Sequence, residues 1–201
     1  MEKTLYLMRH GETLFNQQKK VQGWCDSPLT AKGIKQAQIA GEYFKKQNIK
    51  IEAAYASTSE RASDTLEQVT AIPYQRVKGL KEWNFGAFEG EPEFLNPKLP
   101  YGDFFFPFGG ERELDFRKRV ADTIVDLVSG ETHQTILMVS HGAACRQFMR
   151  NWAHTSQVDQ AEKLGNCCIL KFSFKEDTFQ LLEIINHDFS NIAVCIIKRD
   201  K

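Results

Sequence analysis

The sequence predicts an α/β protein, a three-layer fold with a mainly parallel sheet, helices on both faces and an antiparallel edge. Three observations predict it. The runs Thr4–Met8, Ala53–Ser57 and Thr135–Ser140 are short and apolar without polar alternation, as strands buried on both faces require. Segments of helical period separate them. The last part of the chain then changes character, with two strand-like runs joined by the polar stretch KEDT.

Taken in order, Thr4–Met8 is the first strand. After a loop around QGWCDSP, Thr30 can cap a helix on which Ile34, Ala37, Gly41 and Phe44 recur at helical spacing. Ala53–Ser57 is the second strand, followed by a helix from about Ser59 to Val69. Glu113–Val128 is helical, with Leu114, Val120, Ile124 and Leu127 on one side. TILMVS (Thr135–Ser140) is the strongest buried strand, and it runs into the helix HGAACRQFMRNW. Cys167–Phe174 and Thr178–Ile185 read as a hairpin, and Ile192–Ile197 as one more strand.

No repeat or linker divides the 201 residues, so one domain is expected over 1–201. One stretch, NFGAFEGEPEFLNPKLPYGDFFFPFGG at 84–110, carries four prolines and many aromatics but no period. Such a loop inside a compact domain is expected to be a flap over a site, built in part from Phe104, Phe105, Phe106 and Phe108.

Twenty-six basic residues balance twenty-six acidic ones. Net charge therefore argues against nucleic acid or an anionic membrane as partner, and an anion site has to be local. No apolar run approaches the roughly 20 residues of a spanning helix. The start of the chain passes from charges into a strand without the pattern of a secretion signal, and five cysteines without C-x-x-C suit reduced thiols. A cytoplasmic location is expected.

The chemistry sits at strand ends. In open α/β sheets, ligands bind beyond the carboxyl ends of the strands. The first strand ends LMRHG and the last core strand ends MVSHG, each delivering a histidine followed by glycine. The helix after YAST carries Arg61 near its start. Arg9, His10, Arg61 and His141 can thus converge on one anion, and paired guanidiniums with imidazole donors suit a phosphoryl group. Gly142 opens a helix, whose N-terminus also favours an anion. A lone histidine or arginine at such a place is usually structural; what favours function is that separate segments bring the same chemistry to one edge.

LMRHGET, VQGWCDSPLTAKGIKQA, YASTSERASDT, KEWNFGAFEG and VSHGAACR, in that order, resemble the histidine phosphatase superfamily, the phosphoglycerate-mutase-like clan. The resemblance implies a phosphohistidine route with no cofactor and no metal. His10 matches the nucleophile and Glu82 the general acid. Arg9, Arg61 and His141 match the phosphate pocket, with His141 protonated, and Asn16 matches an amide that contacts phosphate. The nucleophile's second ring nitrogen needs an acceptor to fix its tautomer, a backbone carbonyl that the sequence does not identify. Glu12 matches an acidic position that orients the site. His133, His154 and His187 match no motif, and Trp24 and Cys25 lie in a loop that could border the site.

The family contains phosphatases and mutases. In its mutases, the segment after the general acid supplies several basic residues for a carboxylate. Here 84–110 holds one cation, Lys98, against Glu89, Glu91, Glu93 and Asp103, with Arg112 just beyond. The expectation is a metal-independent phosphomonoesterase acting on a small-molecule phosphate ester with a weakly charged or aromatic leaving group. The alternatives are a phosphoglycerate mutase and a binding protein that kept the pocket without turnover. A metallophosphatase using His10, His141 and Glu82 fails because flanking arginines repel a cation. The hairpin strands could pair across a homodimer or simply end the sheet.

Overall fold

The computed structural model describes residues 2–192. Strands β1 (Lys3–Arg9), β2 (Ala53–Ser57), β3 (Gln75–Val77), β4 (Thr135–Ser140), β5 (Ile169–Lys175) and β6 (Thr178–Ile185) form one sheet in the order β3-β2-β4-β1-β5-β6. The first four of that order run parallel, β5 lies antiparallel on β1, and β6 antiparallel on β5. Helices α1 (Leu14–Gln18), α2 (Ala31–Lys46), α3 (Glu60–Val69), α4 (Glu113–Gly130) and α5 (Gly142–Asn151) complete the fold.

Strand periodicity divides the core in two, because successive side chains point to opposite faces. Leu5, Leu7, Ile136 and Met138 pack with Ile124 of α4 and Phe148 of α5. Tyr6, Met8, Leu137 and Val139 pack with Phe44 of α2 and Leu66 of α3. This is why β1 and β4 read as unbroken apolar runs: neither face meets water. Thr30 caps α2 as expected, its hydroxyl accepting from the Gly33 N–H at 3.0 Å.

The register then builds the site. β1 and β4 pair so that Arg9 stands beside Ser140, and the next residue of each chain is a histidine. The glycine after the first histidine is a packing requirement. A Cβ on Gly11 would lie 2.5 Å from the Gly33 carbonyl oxygen, and one on Gly33 would lie 2.0 Å from that of Glu12. Only two bare backbones let the first turn of α2 close on the end of β1.

Several elements differ from the sequence expectation. α1 and β3 carry too few residues to show a period. The first hairpin strand begins at Ile169, because Cys167 has a left-handed φ of 56° and ends the preceding loop. Leu114 is 68% exposed; α4 buries Phe116, Val120, Ala121, Ile124 and Val128 instead. The strand expected at Ile192–Ile197 lies, beyond its first residue, outside the described residues. Among the described residues, no helix is long and apolar enough to cross a membrane.

The segment 84–110 is irregular, but Phe104, Phe105, Phe106 and Phe108 do not line the cavity at the sheet edge; of its phenylalanines only Phe85 does, among the described residues. Phe105 is fully buried against Trp83, Phe85 and Tyr101, while Phe104 and Phe108 pack on Phe88. Rings in one short segment bury most area by meeting each other. Backbone bonds tie the start of the flap down, from Val21 N to Glu91 O (2.8 Å) and from Glu93 N to Lys19 O (2.8 Å).

Candidate active site

A cavity of about 530 Å³ opens at the carboxyl edge of the sheet, with Arg9, His10, Asn16, Glu82 and Gly142 in its wall. Five sequence-predicted residues from four segments thus share one space. Arg61 and His141 lie directly behind them, both fully buried, with the His10 and His141 ring centroids 5.3 Å apart.

His10 is held in one tautomer. Its Nδ1 lies 2.8 Å from the Gly11 carbonyl oxygen, which only accepts, so Nδ1 carries the proton and Nε2 keeps its lone pair. The acceptor that the sequence left open is thus the residue next door. Burial first, then the charges of Arg61 and Arg9, push the His10 pKa well below the ordinary histidine range. Both causes favour the neutral ring that a nucleophile needs.

His141 differs from expectation. Its Nδ1 accepts from Arg61 Nε at 3.1 Å, so Nδ1 has no proton, and its Nε2 is 2.8 Å from the Ser57 hydroxyl. A protonated His141 has no lone pair for that bond. Its pKa is driven well down by burial first and by Arg61 second. Here the ring is a neutral support for Arg61, not a cation in the cavity wall.

Arg61 is the most constrained cation. Besides His141, it donates from Nη1 to Cys25 O (2.9 Å) and Asp26 Oδ1 (2.8 Å), and from Nη2 to Gly23 O (2.8 Å). Four of its five N–H groups are thereby assigned, leaving one on Nη2. Three of those acceptors come from the loop 23–26, which Glu89 fixes in turn. The Glu89 carboxylate accepts from the backbone N–H groups of Trp24 (2.7 Å), Cys25 and Phe85 (3.2 Å). Arg9 donates from Nη1 to Leu164 O (2.7 Å), and its buried Nε has no hydrogen-bond partner. Gly142 lies against it: a Cβ there would be 3.2 Å from Arg9 Nε.

Glu82 sits on the N-terminus of α5. Its Oε1 accepts from Ala144 N (2.9 Å) and Trp83 N (3.0 Å), and its Oε2 accepts from Ala143 N (2.9 Å). These donors favour the carboxylate, yet burial outweighs them and raises the pKa. Oε2, with one donor against two on Oε1, is the oxygen with room for a proton. Arg119 fixes the segment, donating to the carbonyls of Gly79 (2.8 Å), Lys81 (3.0 Å) and Glu82 (3.1 Å), and Trp24 Nε1 also donates to Glu82 O (3.0 Å).

Asn16 lines the cavity with its Oδ1 engaged by Thr13 N (3.3 Å) and Asn166 Nδ2 (3.1 Å). Glu12 pairs with Lys32 at 2.9 Å and with Thr30, so it braces the start of α2. His133 pairs with Glu131, His154 stacks on Trp152, and His187 meets the Tyr43 ring; none lines the cavity. Sequence reasoning missed Asp26, Glu89, Arg119 and Asn166. Asp26 lay inside a quoted motif, but nothing in the sequence said it faces Arg61. Among the described residues, no group of three or more histidines, cysteines and acidic residues could hold a metal ion.

The family model described as the histidine phosphatase superfamily (branch 1) matches residues 5–187. A Bacillus subtilis protein named as an uncharacterized phosphatase, PhoE, is 29% identical over 178 residues, 87% of this chain and 90% of its own. A Porphyromonas gingivalis 2,3-bisphosphoglycerate-dependent phosphoglycerate mutase is 26% identical over 199 residues, covering 78% of this chain and 80% of its own. Among solved structures, the phosphoserine phosphatase of Entamoeba histolytica in complex with 3-phosphoglyceric acid superposes with a TM-score of 0.76 at 28% identity, over 93% of this chain and 98% of that one. Phosphatases and mutases therefore both stand among the relatives.

Proposed function

The chain belongs to the histidine phosphatase superfamily, and on that basis we propose that it is a phosphomonoesterase that hydrolyses a small-molecule phosphate ester through a phosphohistidine on His10, without a metal ion. The observation that carries this reading is the pinned His10 tautomer, which aims a lone pair at Nε2 into a cavity flanked by Arg9 and Glu82.

The residues supply each step. His10 Nε2 attacks phosphorus, the bond to the leaving oxygen breaks, and Glu82 gives that oxygen the proton from Oε2. Burial raises its pKa, the direction a general acid requires. Arg9 Nε and the free Nη2 hydrogen of Arg61 stabilise the phosphoryl oxygens, and Gly142 lets Arg9 approach. A water then enters, Glu82 takes its proton, and the oxygen displaces His10 from phosphorus to give inorganic phosphate and neutral imidazole.

Hydrolysis is favoured over mutase chemistry by the flap. Its share of the cavity wall is Phe85, Glu93, Asn96, Leu99, Pro100 and Tyr101, with no cation. Arg112, just beyond the flap, pairs with Asp103 at 2.8 Å and stacks on Phe106 at 3.9 Å rather than lining the cavity.

The test is phosphate release from p-nitrophenyl phosphate in EDTA, wild type beside His10→Ala, with alkaline quench and mass spectrometry for phosphohistidine. Turnover and a labelled His10 in the wild type alone are expected. Equal activity in His10→Ala refutes the nucleophile, and turnover only with a bisphosphoglycerate primer and phosphoglycerate moves the assignment to mutase.

A further inference from the structure

The far wall of the cavity is basic, and the phosphoryl chemistry does not use it. Arg146 and Arg150 stand one turn apart on α5, and both line the cavity together with Lys163. Arg146 donates to the carbonyls of Gln160 and Glu162, which position it without neutralising it. Arg150 has one acidic neighbour, Glu113, at 3.6 Å. That carboxylate is shared with Arg117 (3.2 Å) and Gln147 (2.9 Å) and also accepts from the Gly102 N–H (3.1 Å). Lys163 has no side-chain hydrogen bond or ion pair among the described residues. Glu93 is the other acid of the outer wall, and it comes from the flap.

Two like charges one turn apart repel each other by a few tenths of a kcal/mol even in the open. The proximity is felt: Arg146 has its pKa lowered by burial first and by Arg150 second. In a chain whose total charge is zero, such a cluster at the mouth of one cavity is a local feature of that cavity. Direction matters as well. Helix side chains lean toward the helix N-terminus as a rule, and the N-terminus of α5 is the Gly142 end of the cavity. Their backbones are roughly 6 and 12 Å along the axis from Gly142.

We infer that the leaving group of the substrate carries a second anionic group, a carboxylate or second phosphoryl, bound by Arg146 and Arg150 with Lys163. This rests on the phosphatase reading above and adds the substrate class to it. The spacing along α5 sets the length: the second anion stands farther from phosphorus than the carboxylate of a three-carbon acid. The apolar part of the wall, Leu99, Pro100 and Tyr101, covers the chain between the two anions. An aromatic, uncharged leaving group, the expectation from the flap's composition, leaves the basic wall without a counter-charge.

The experiment compares matched pairs. One pair is the phosphate monoester of a five-carbon ω-hydroxy acid and the primary amide of that acid. A second is the same pair on three carbons. A third, pentanediol bisphosphate against pentyl phosphate, separates a second phosphoryl from a carboxylate. The wild type is expected to prefer the charged member of a five-carbon pair by about 10- to 100-fold in kcat/KM, the size of a charge-assisted hydrogen bond. The preference is smaller on three carbons. In Arg150→Gln the ratio falls to within about threefold of unity, and in Arg150→Glu it inverts, as removal and reversal of a recognition charge require. Since Arg150 is half-exposed, both variants should fold.

Turnover of both members at equal kcat/KM overturns the second-anion site and leaves the phosphatase reading intact. A preference that is largest on three carbons overturns the length. If no ester is turned over, the phosphatase reading fails. Calorimetric binding of the five-carbon pair then decides the site separately, with equal affinity for acid and amide overturning it.

Discussion

Arg61 is a fully buried guanidinium whose only carboxylate partner among the described residues is Asp26, so Asp26 should hold both the fold and the site. Asp26 has two tasks. Oδ1 accepts from Arg61 Nη1 at 2.8 Å, and Oδ2 accepts from the Glu60 N–H at the start of α3. A pair of unit charges about 4 Å apart at an effective dielectric of about 20 attracts by about 4 kcal/mol. Removing one member of a buried pair costs about 3–5 kcal/mol. The Asp26 side chain keeps 27% of its exposure, so water screens part of this, and three further acceptors stay with Arg61. Asp26→Ala should therefore lose about 2–3 kcal/mol, a fall in Tm of roughly 5–10 °C for a chain of this size. Asp26→Asn keeps one acceptor and should lose about half of that.

Function should fall with it. Arg61 freed from Nη1 can swing toward its remaining acceptors, and small misplacements of a phosphoryl-binding group lower the rate steeply. A drop of at least tenfold in kcat/KM is expected for Asp26→Asn, measured alongside urea unfolding of the same preparation. If Asp26→Asn stays within about 0.5 kcal/mol of wild type, the range of an ordinary surface change, and within twofold in activity, the carbonyls alone hold Arg61 and the reasoning is refuted.

Four more predictions follow from the same geometry. Glu82→Gln should cut kcat on an alkyl phosphate by about 10²–10⁴-fold, the usual worth of a general acid, but far less on p-nitrophenyl phosphate, whose leaving group needs little protonation; an equal loss on both esters would argue against acid catalysis. His10 and His141 both have pKa values lowered from 6.5, so the unfolded chain takes up protons first as pH falls below that value. Each can then remove up to about 1.4 kcal/mol of stability per pH unit. Glu82, with its raised pKa, acts in the opposite sense as pH falls toward 4.5, since the folded form takes up its proton first. Urea midpoints should still fall between pH 7 and 5.5, and His10→Ala should flatten the slope. Gly142→Ala puts a Cβ 3.2 Å from Arg9 Nε and 3.3 Å from its Cζ; displacing that guanidinium should lower kcat/KM about tenfold while unfolding stays near wild type. Finally, the two-residue hairpin loop places Glu176 and Asp177 at φ of 50° and 55°, so Glu176→Asn with Asp177→Gly should raise stability by about 1 kcal/mol, and a loss would show that the native side chains contribute to the turn.

What the sequence made legible was whatever local pattern encodes. β1 and β4 announce themselves because both faces are buried, and the histidines that follow them are read off by position. Arg61 is visible because it lies in the first turn of the helix that follows the second strand. The partners were not legible, for a physical reason. Asp26 and Glu89 act by pairing segments 35 to 65 residues apart in the chain, and no period or composition encodes which segment faces which. The flap shows the same limit from the other side. Composition revealed an irregular aromatic segment, but whether a ring faces a ligand or another ring depends on packing, and Phe105 is claimed by Trp83 and Phe85.

The state of His141 carries the last step. The resemblance suggested a protonated ring lending charge to the phosphate pocket; the structure holds a neutral ring that accepts from Arg61. Burial is the first cause of the shift in His10, in His141 and in Glu82 alike, and it always disfavours the charged form. One cause therefore acts in the direction the proposed reaction needs on two different groups: it favours the proton-free form of the base that attacks, and the protonated form of the acid that donates. What burial cannot neutralise are the guanidiniums of Arg9 and Arg61, since arginine stays charged in proteins. Burial thus pushes both reacting groups toward their neutral forms beside two fixed cations, one of them paired with Asp26. An arriving phosphate dianion meets those fixed cations while burial favours the uncharged form of each group that reacts with it.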